Sequence, residues 1–233
     1  MNQASTFYQD IRTMITNTRP HENGNAIWFV LVAVALLAAL TMAVTRSSDT
    51  TEQTGDIERA RIQASDLLRY IKGVEAAVDN MLLRGISESD VCFHDSGWGN
   101  NDYNGASCAN SANRIFDIEG AGLAWRTFNY VTSWDIFGSH LVQDLETSNT
   151  DLIMQAQVSG ALCRELNTML GIPNTGGDAP EDDIQGIYRF NGSYAAAAPD
   201  NIIGDDDPVF AGKSAGCRKD GSDYYFYQVL IKR

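Results

Sequence analysis

The sequence predicts an α+β fold: a long N-terminal helix, serving as membrane span plus amphipathic stalk, packed on a small antiparallel β-sheet domain. Three observations lead to it. No charged residue lies between Glu22 and Arg46. The core of that stretch, Ala26-Ile27-Trp28-Phe29 through Leu40, has about the length that crosses a ~30 Å hydrocarbon layer as a helix. From Asp56 to Arg84 an amphipathic pattern follows, with Ile57, Ala60, Ala64, Leu67, Ile71, Val74, Val78 and Met81 on one helical stripe. Near the C-terminus, Lys219-Asp220-Gly221-Ser222-Asp223 separates two strand-like runs, the second being Tyr224-Tyr225-Phe226-Tyr227-Gln228-Val229-Leu230-Ile231.

The elements are expected in the following order. Residues 1–24 form a leader or cytoplasmic tail, with Pro20 and Gly24 breaking any helix. Residues 25–45 form a transmembrane or assembly helix. Residues 46–85 form the stalk, whose polar start (46–55) marks a kink or a short solvated connection. Residues 86–233 form an extracytoplasmic, disulfide-stabilised α+β domain. The stalk stripe serves either a helix packed on its own domain or a coiled coil, since its spacing fits both. Gly85 supplies the stop. The stretch 86–112 reads as loop. A hairpin is expected from Asn113–Ile118 and Gly122–Tyr130, and further strands from Ser139–Leu145 and Thr150–Gln157. Ser159–Leu170 reads as a helix ended by Gly171 and Pro173. The last hairpin pairs Val209–Arg218 with Tyr224–Lys232.

Charge is unevenly placed. Asp10 and Glu22 balance Arg12 and Arg19 in residues 1–45, so the formal net charge of −13 belongs to residues 46–233. Such an acidic surface argues against nucleic acid or anionic headgroups as partners. The four cysteines, Cys92, Cys108, Cys163 and Cys217, form no CxxC pair, which leaves zinc little support. An even count favours disulfides in an extracytoplasmic setting. Three pairings are open. Cys92–Cys108 with Cys163–Cys217 is preferred because it closes one short loop and one longer segment. Lysine and arginine counts on the two sides of the apolar run do not fix its orientation. The cysteines and the acidic domain place the C-terminal part outside the cytoplasm. A cleaved signal peptide fits less well, because some two dozen nearly neutral residues precede the run and Thr41–Thr45 is a poor cleavage site.

No catalytic constellation emerges. The histidines are His21, His94 and His140, and His94-Asp95 adjacency gives no triad geometry. No GxSxG, HExxH, Walker A or dinucleotide-binding pattern with strand–helix context occurs in the sequence. The chain is therefore read as a non-enzyme with no evident small-molecule substrate. Asp178, Glu181, Asp182, Asp183, Asp200, Asp205, Asp206 and Asp207 lie in Gly/Pro-containing loops, and a hard cation needs several loop oxygens. Asp205, Asp206 and Asp207 are the calcium candidates. Without EF-hand spacing the preferred reading is a solvated acidic loop, with no cofactor expected.

The order of leader, apolar helix, amphipathic helix and disulfide-bearing β domain resembles type IV pilins and the pseudopilins of type II secretion systems. That resemblance implies a lollipop-shaped subunit whose leader is cut after Gly24, before Asn25-Ala26-Ile27-Trp28-Phe29. It also implies that Cys163 and Cys217 form the late bridge of the family. The chain departs from the family at Glu22-Asn23, where a basic residue is usual, and at Phe29, where the family carries Glu. Without that Glu the new N-terminal amine lacks a buried partner, which suits a subunit at a fibre tip. The assembly helix would comprise Ala26, Ile27, Trp28, Phe29, Ala33 and Ala38, with the alanines allowing close approach.

The expected function is thus a structural, pilin-like or minor pseudopilin-like subunit of a bacterial envelope fibre. Its partners would be copies of itself or related subunits, and the inner membrane. Its expected location is single-pass in that membrane with the C-terminal domain outside, or assembled into a periplasmic or extracellular fibre. The alternative is a membrane-anchored periplasmic or extracellular binding protein that does not polymerise.

Overall fold

The computed structural model describes residues 25–94, 103, 105–146, 148–195 and 201–233; the side chains of residues 25–26 and 43–54 lie outside that description. The chain divides into two compact units, Met1–Gln53 and Thr54–Arg233. Helix α1, Asn25–Leu83, contributes to both. The strands of the second unit are β1 (Val131–Val142), β2 (Asp151–Val158), β3 (Ile202–Ile203), β4 (Ala215–Asp220) and β5 (Asp223–Ile231). Helix α2 (Gly160–Leu170) follows β2.

The strands form one sheet in the order β3-β1-β2-β5-β4. Neighbours pair antiparallel except β1 and β3, which run parallel through Leu141/Ile202 and Val142/Ile203. Both faces are covered. On one, Ala64, Leu67, Ile71, Val74, Val78 and Met81 of α1 share a core with Trp134, Ile136, Met154, Phe226 and Leu162. On the other, Phe137, Ile153, Tyr227 and Val229 pack with Ile184, Ile203 and Phe210. Burial on both faces explains why β2 is buried along most of its length and shows little polar/apolar alternation.

The expected architecture is corrected in three respects. First, among the described residues no helix is long and apolar enough to cross a membrane. This overturns both the membrane span plus stalk and the single-pass inner-membrane location. Second, packing on the sheet is confined to the later part of α1, from Ala60 to Met81, rather than involving one long N-terminal helix. Third, the sheet is five-stranded and mixed instead of small and antiparallel. The parallel edge arises because a long irregular segment returns β3 alongside β1. The pilin-like lollipop is therefore not the architecture observed.

Within α1 the predicted stripe is buried except at Ile57, which is 51% exposed, and Tyr70 and Ala77 widen it. Burial against its own domain assigns the stripe to intramolecular packing. The helix ends where Gly85 takes a φ of 87°, and Ile86 N–H donates to Met81 O at 3.2 Å.

The expected Asn113–Tyr130 hairpin forms no strands. Ala121 N–H donates to Arg114 O and Leu123 N–H to Ile115 O, but the ladder stops there. Beyond it, side chains take over. Arg126 N–H donates to the Tyr70 hydroxyl, and its guanidinium meets both Asp66 oxygens at 3.3 Å. Trp125 and Phe128 pack edge-on against Tyr70 and α1 instead of across a strand pair. The next strand starts at Val131, earlier than expected, and β4 begins only at Ala215, after a 3-10 turn at Pro208–Phe210. The turn before β5, β2 and α2 lie where the sequence put them, with Ser159 Oγ capping Leu162 N–H.

Candidate functional site

Four features could carry function. The first is the apolar segment of α1. Ile27, Trp28, Phe29, Val30, Leu31, Val34, Leu36, Leu37, Leu40 and Met42 are each at least 58% exposed. Ala33 and Ala38 are exposed among them. The Thr41 hydroxyl is satisfied internally, by Leu37 O and Ala38 O. The proposed junction falls at the edge of the description: Gly24 lies outside the described residues, Asn25 begins α1, and the Ala26 side chain is not described.

The second feature is a pair of disulfides, Cys92–Cys108 and Cys163–Cys217. The latter ties α2 to the edge strand β4. Asn167, fully buried on α2, reinforces the tie, donating to Cys217 O and accepting from Cys217 N–H, both at 2.8 Å. Further along, Lys219 N–H donates to Pro180 O and Asp182 N–H to Lys219 O, covering an edge that would otherwise be open to pairing.

That coverage positions the third feature, an acidic basin. The chain enters it at Asp182 and leaves β3 at Gly204, whose φ of 99° allows the reversal. Gly204 N–H donates to Asp182 Oδ2 at 2.7 Å, and Asp183 N–H to Asp206 Oδ2 at 3.2 Å. Asp182, Asp205 and Asp206 bring carboxylate oxygens within 4.8 Å of one another. Burial pushes the Asp182 carboxyl up to about 7; the Gly204 N–H and Arg218 oppose this, while Asp205 and Asp206 add to it. Asp207 is diverted: its Oδ1 accepts from Val209 N–H and caps the 3-10 turn. Of the three calcium candidates the structure thus gathers Asp205 and Asp206, with Asp182 as the third member.

Beneath the basin lies Arg218, 1% exposed, which the sequence reading did not single out. One guanidinium nitrogen donates to Asp182 O at 2.7 Å and Asp220 Oδ2 at 3.0 Å, the other to Gln155 Oε1 at 3.0 Å. Its position opposite Tyr225 in a β-rich hairpin reads in sequence as a solvent-facing residue. The return of residues 180–182 over the strand helps to cover it, with Tyr225 and Gln155.

The fourth feature is Ser139–His140. Both are buried, with Ser139 Oγ 2.8 Å from His140 Nδ1 and His140 Nε2 3.1 Å from Gln185 O. The carbonyl can only accept, so Nε2 carries the proton and Nδ1 accepts from Ser139. Asp151, opposite on β2, spends its oxygens on Val142 and Arg233 N–H groups, so no relay forms. Burial lowers the His140 pKa to about 4, Gln185 O opposes this and Arg218 adds to it. The unfolded chain binds a proton near pH 6.5 while the folded one does not until about pH 4. Stability from this site is present above pH 6.5 and is lost as pH falls toward 4, about 3 kcal/mol in all. In urea unfolding at pH 7.5 and 4.5, His140→Gln should lose about 2–3 kcal/mol less on acidification than wild type.

No family model matches the chain, and neither the curated proteins nor the solved structures contain a match.

Proposed function

We propose that the chain is a structural subunit of a bacterial envelope fibre, pilin-like in its mode of assembly, with Ile27–Met42 as the assembly element. The observation that carries this reading is the apolar surface of that helical segment, exposed along its length and broken only by Thr41. Ordinary monomers expose apolar patches of no more than a few hundred Å², and removing such a surface from water is the main drive for association. The segment contains no charge, so packing it against copies of itself strands no ion in an apolar interior. Ala33, Ala35, Ala38 and Ala39 let helix axes approach to the close end of the usual 8–10 Å range. Contacts between unlike faces of neighbouring helices generate an open-ended array. In this reading Gly24–Asn25 is the processing junction, and the protein has no catalytic role.

The test is light scattering on the full chain and on Val34→Lys/Leu37→Lys, two exposed positions one turn apart. Wild type should associate and the double variant should remain monomeric with an unchanged far-ultraviolet spectrum. Equal association of the two proteins would remove the segment from the account.

A further inference from the structure

We propose that Asp182, Asp205 and Asp206 bind one divalent cation of the calcium class. The donors are carboxylate oxygens only, a set that suits hard cations and offers nothing to zinc or copper. Their oxygens lie within 4.8 Å of one another, inside the roughly 5 Å that separates opposite ligands of a calcium ion. Acidic neighbours of this kind are common on surfaces, and a second observation distinguishes these. Asp182 is 1% exposed, and its Oδ1 has no hydrogen-bond partner among the described residues. A buried carboxylate oxygen left without a partner is costly.

The surroundings fix the acids and leave that oxygen available. Gly204 N–H holds Asp182 Oδ2, and Asp183 N–H holds Asp206 Oδ2. The terminal nitrogens of Arg218 and the Lys219 ammonium are engaged elsewhere, while the Arg218 Nε is buried without a hydrogen-bond partner among the described residues. Arg218 serves the Asp182 carbonyl, Asp220 and Gln155, and Lys219 pairs with Glu181 at 2.8 Å and Asp178 at 3.5 Å. An open cleft lined by Asp182, Asp183, Asp206, Lys219 and Gly221 gives an ion access from solvent. Water would complete the coordination shell, as it does in many oxygen-ligand sites. The site belongs to the second unit and does not depend on the assembly proposal.

The experiment is calorimetric titration of the full chain, disulfides intact, with calcium chloride in mild detergent, alongside thermal unfolding with and without the ion. One saturable site per chain and a rise in Tm are expected. Asp205→Asn/Asp206→Asn should weaken binding at least about tenfold, because affinity follows ligand charge. It should fold without calcium, both residues being exposed. Asp183→Asn, which contributes only its backbone N–H, should bind as wild type does. Absence of saturable binding, or a Tm rise undiminished in the double variant, would overturn the proposal.

Discussion

Replacing Cys163 and Cys217 together by alanine lowers the unfolding free energy by about 4 kcal/mol, the chain-entropy value for a bond spanning 54 residues. The effect is large because the bond joins α2 to β4, an edge strand with β5 as its one antiparallel neighbour. Without it, α2 stays on β4 through the two Asn167 hydrogen bonds to Cys217, each contributing about 1 kcal/mol net. The Cys92–Cys108 bond spans 16 residues and should be worth about 3 kcal/mol on the same basis. Urea unfolding under non-reducing conditions measures both. A loss below about 1 kcal/mol for the Cys163/Cys217 pair would show that packing and the Asn167 hydrogen bonds hold α2 without the disulfide.

Arg218→Ala is expected to cost about 3–5 kcal/mol, the range for removing one partner of a buried charged network. The substitution leaves Asp182 O and Gln155 Oε1 buried without their donor and removes a positive charge that favours the ionised Asp182 carboxylate. Arg218→Lys should recover little of this, because one ammonium cannot reproduce a fork aimed at two separate acceptors. The same unfolding assay checks both variants. Near-wild-type stability of Arg218→Ala would mean that water replaces the guanidinium without cost.

Those two predictions concern groups that differ in how visible they are in the sequence. Local signals were strong where one element's own chemistry decides the outcome. The Leu67–Met81 stripe, the Ser159 cap with Gly171, and the Asp220–Asp223 turn all announce themselves through spacing or turn residues. Legibility failed where tertiary contacts supply the partners. Gly122–Tyr130 carries strand-like aromatics, yet α1 engages its backbone and rings, so no ladder forms. The β3 edge is two residues long and depends on a distant return of the chain. The apolar N-terminal run suggested a membrane span by composition, and the described helix does not meet that requirement.

The candidate sites divide in the same way. Asp205 and Asp206 were visible as loop acids, but nothing local distinguishes them from Asp207, which caps a 3-10 turn instead. Asp182 acquires its character from burial and from Gly204, twenty-two positions on. Arg218 is covered in part by a loop that the strand pattern cannot foresee. The exposed apolar surface of Ile27–Met42, by contrast, follows directly from residue types and helical geometry.

That surface carries the functional account, and sedimentation velocity of the full wild-type chain in detergent-free buffer tests it most directly. Assembly through α1 predicts a boundary that broadens and shifts to larger species as concentration rises. A single 25.5 kDa species at every concentration would contradict it.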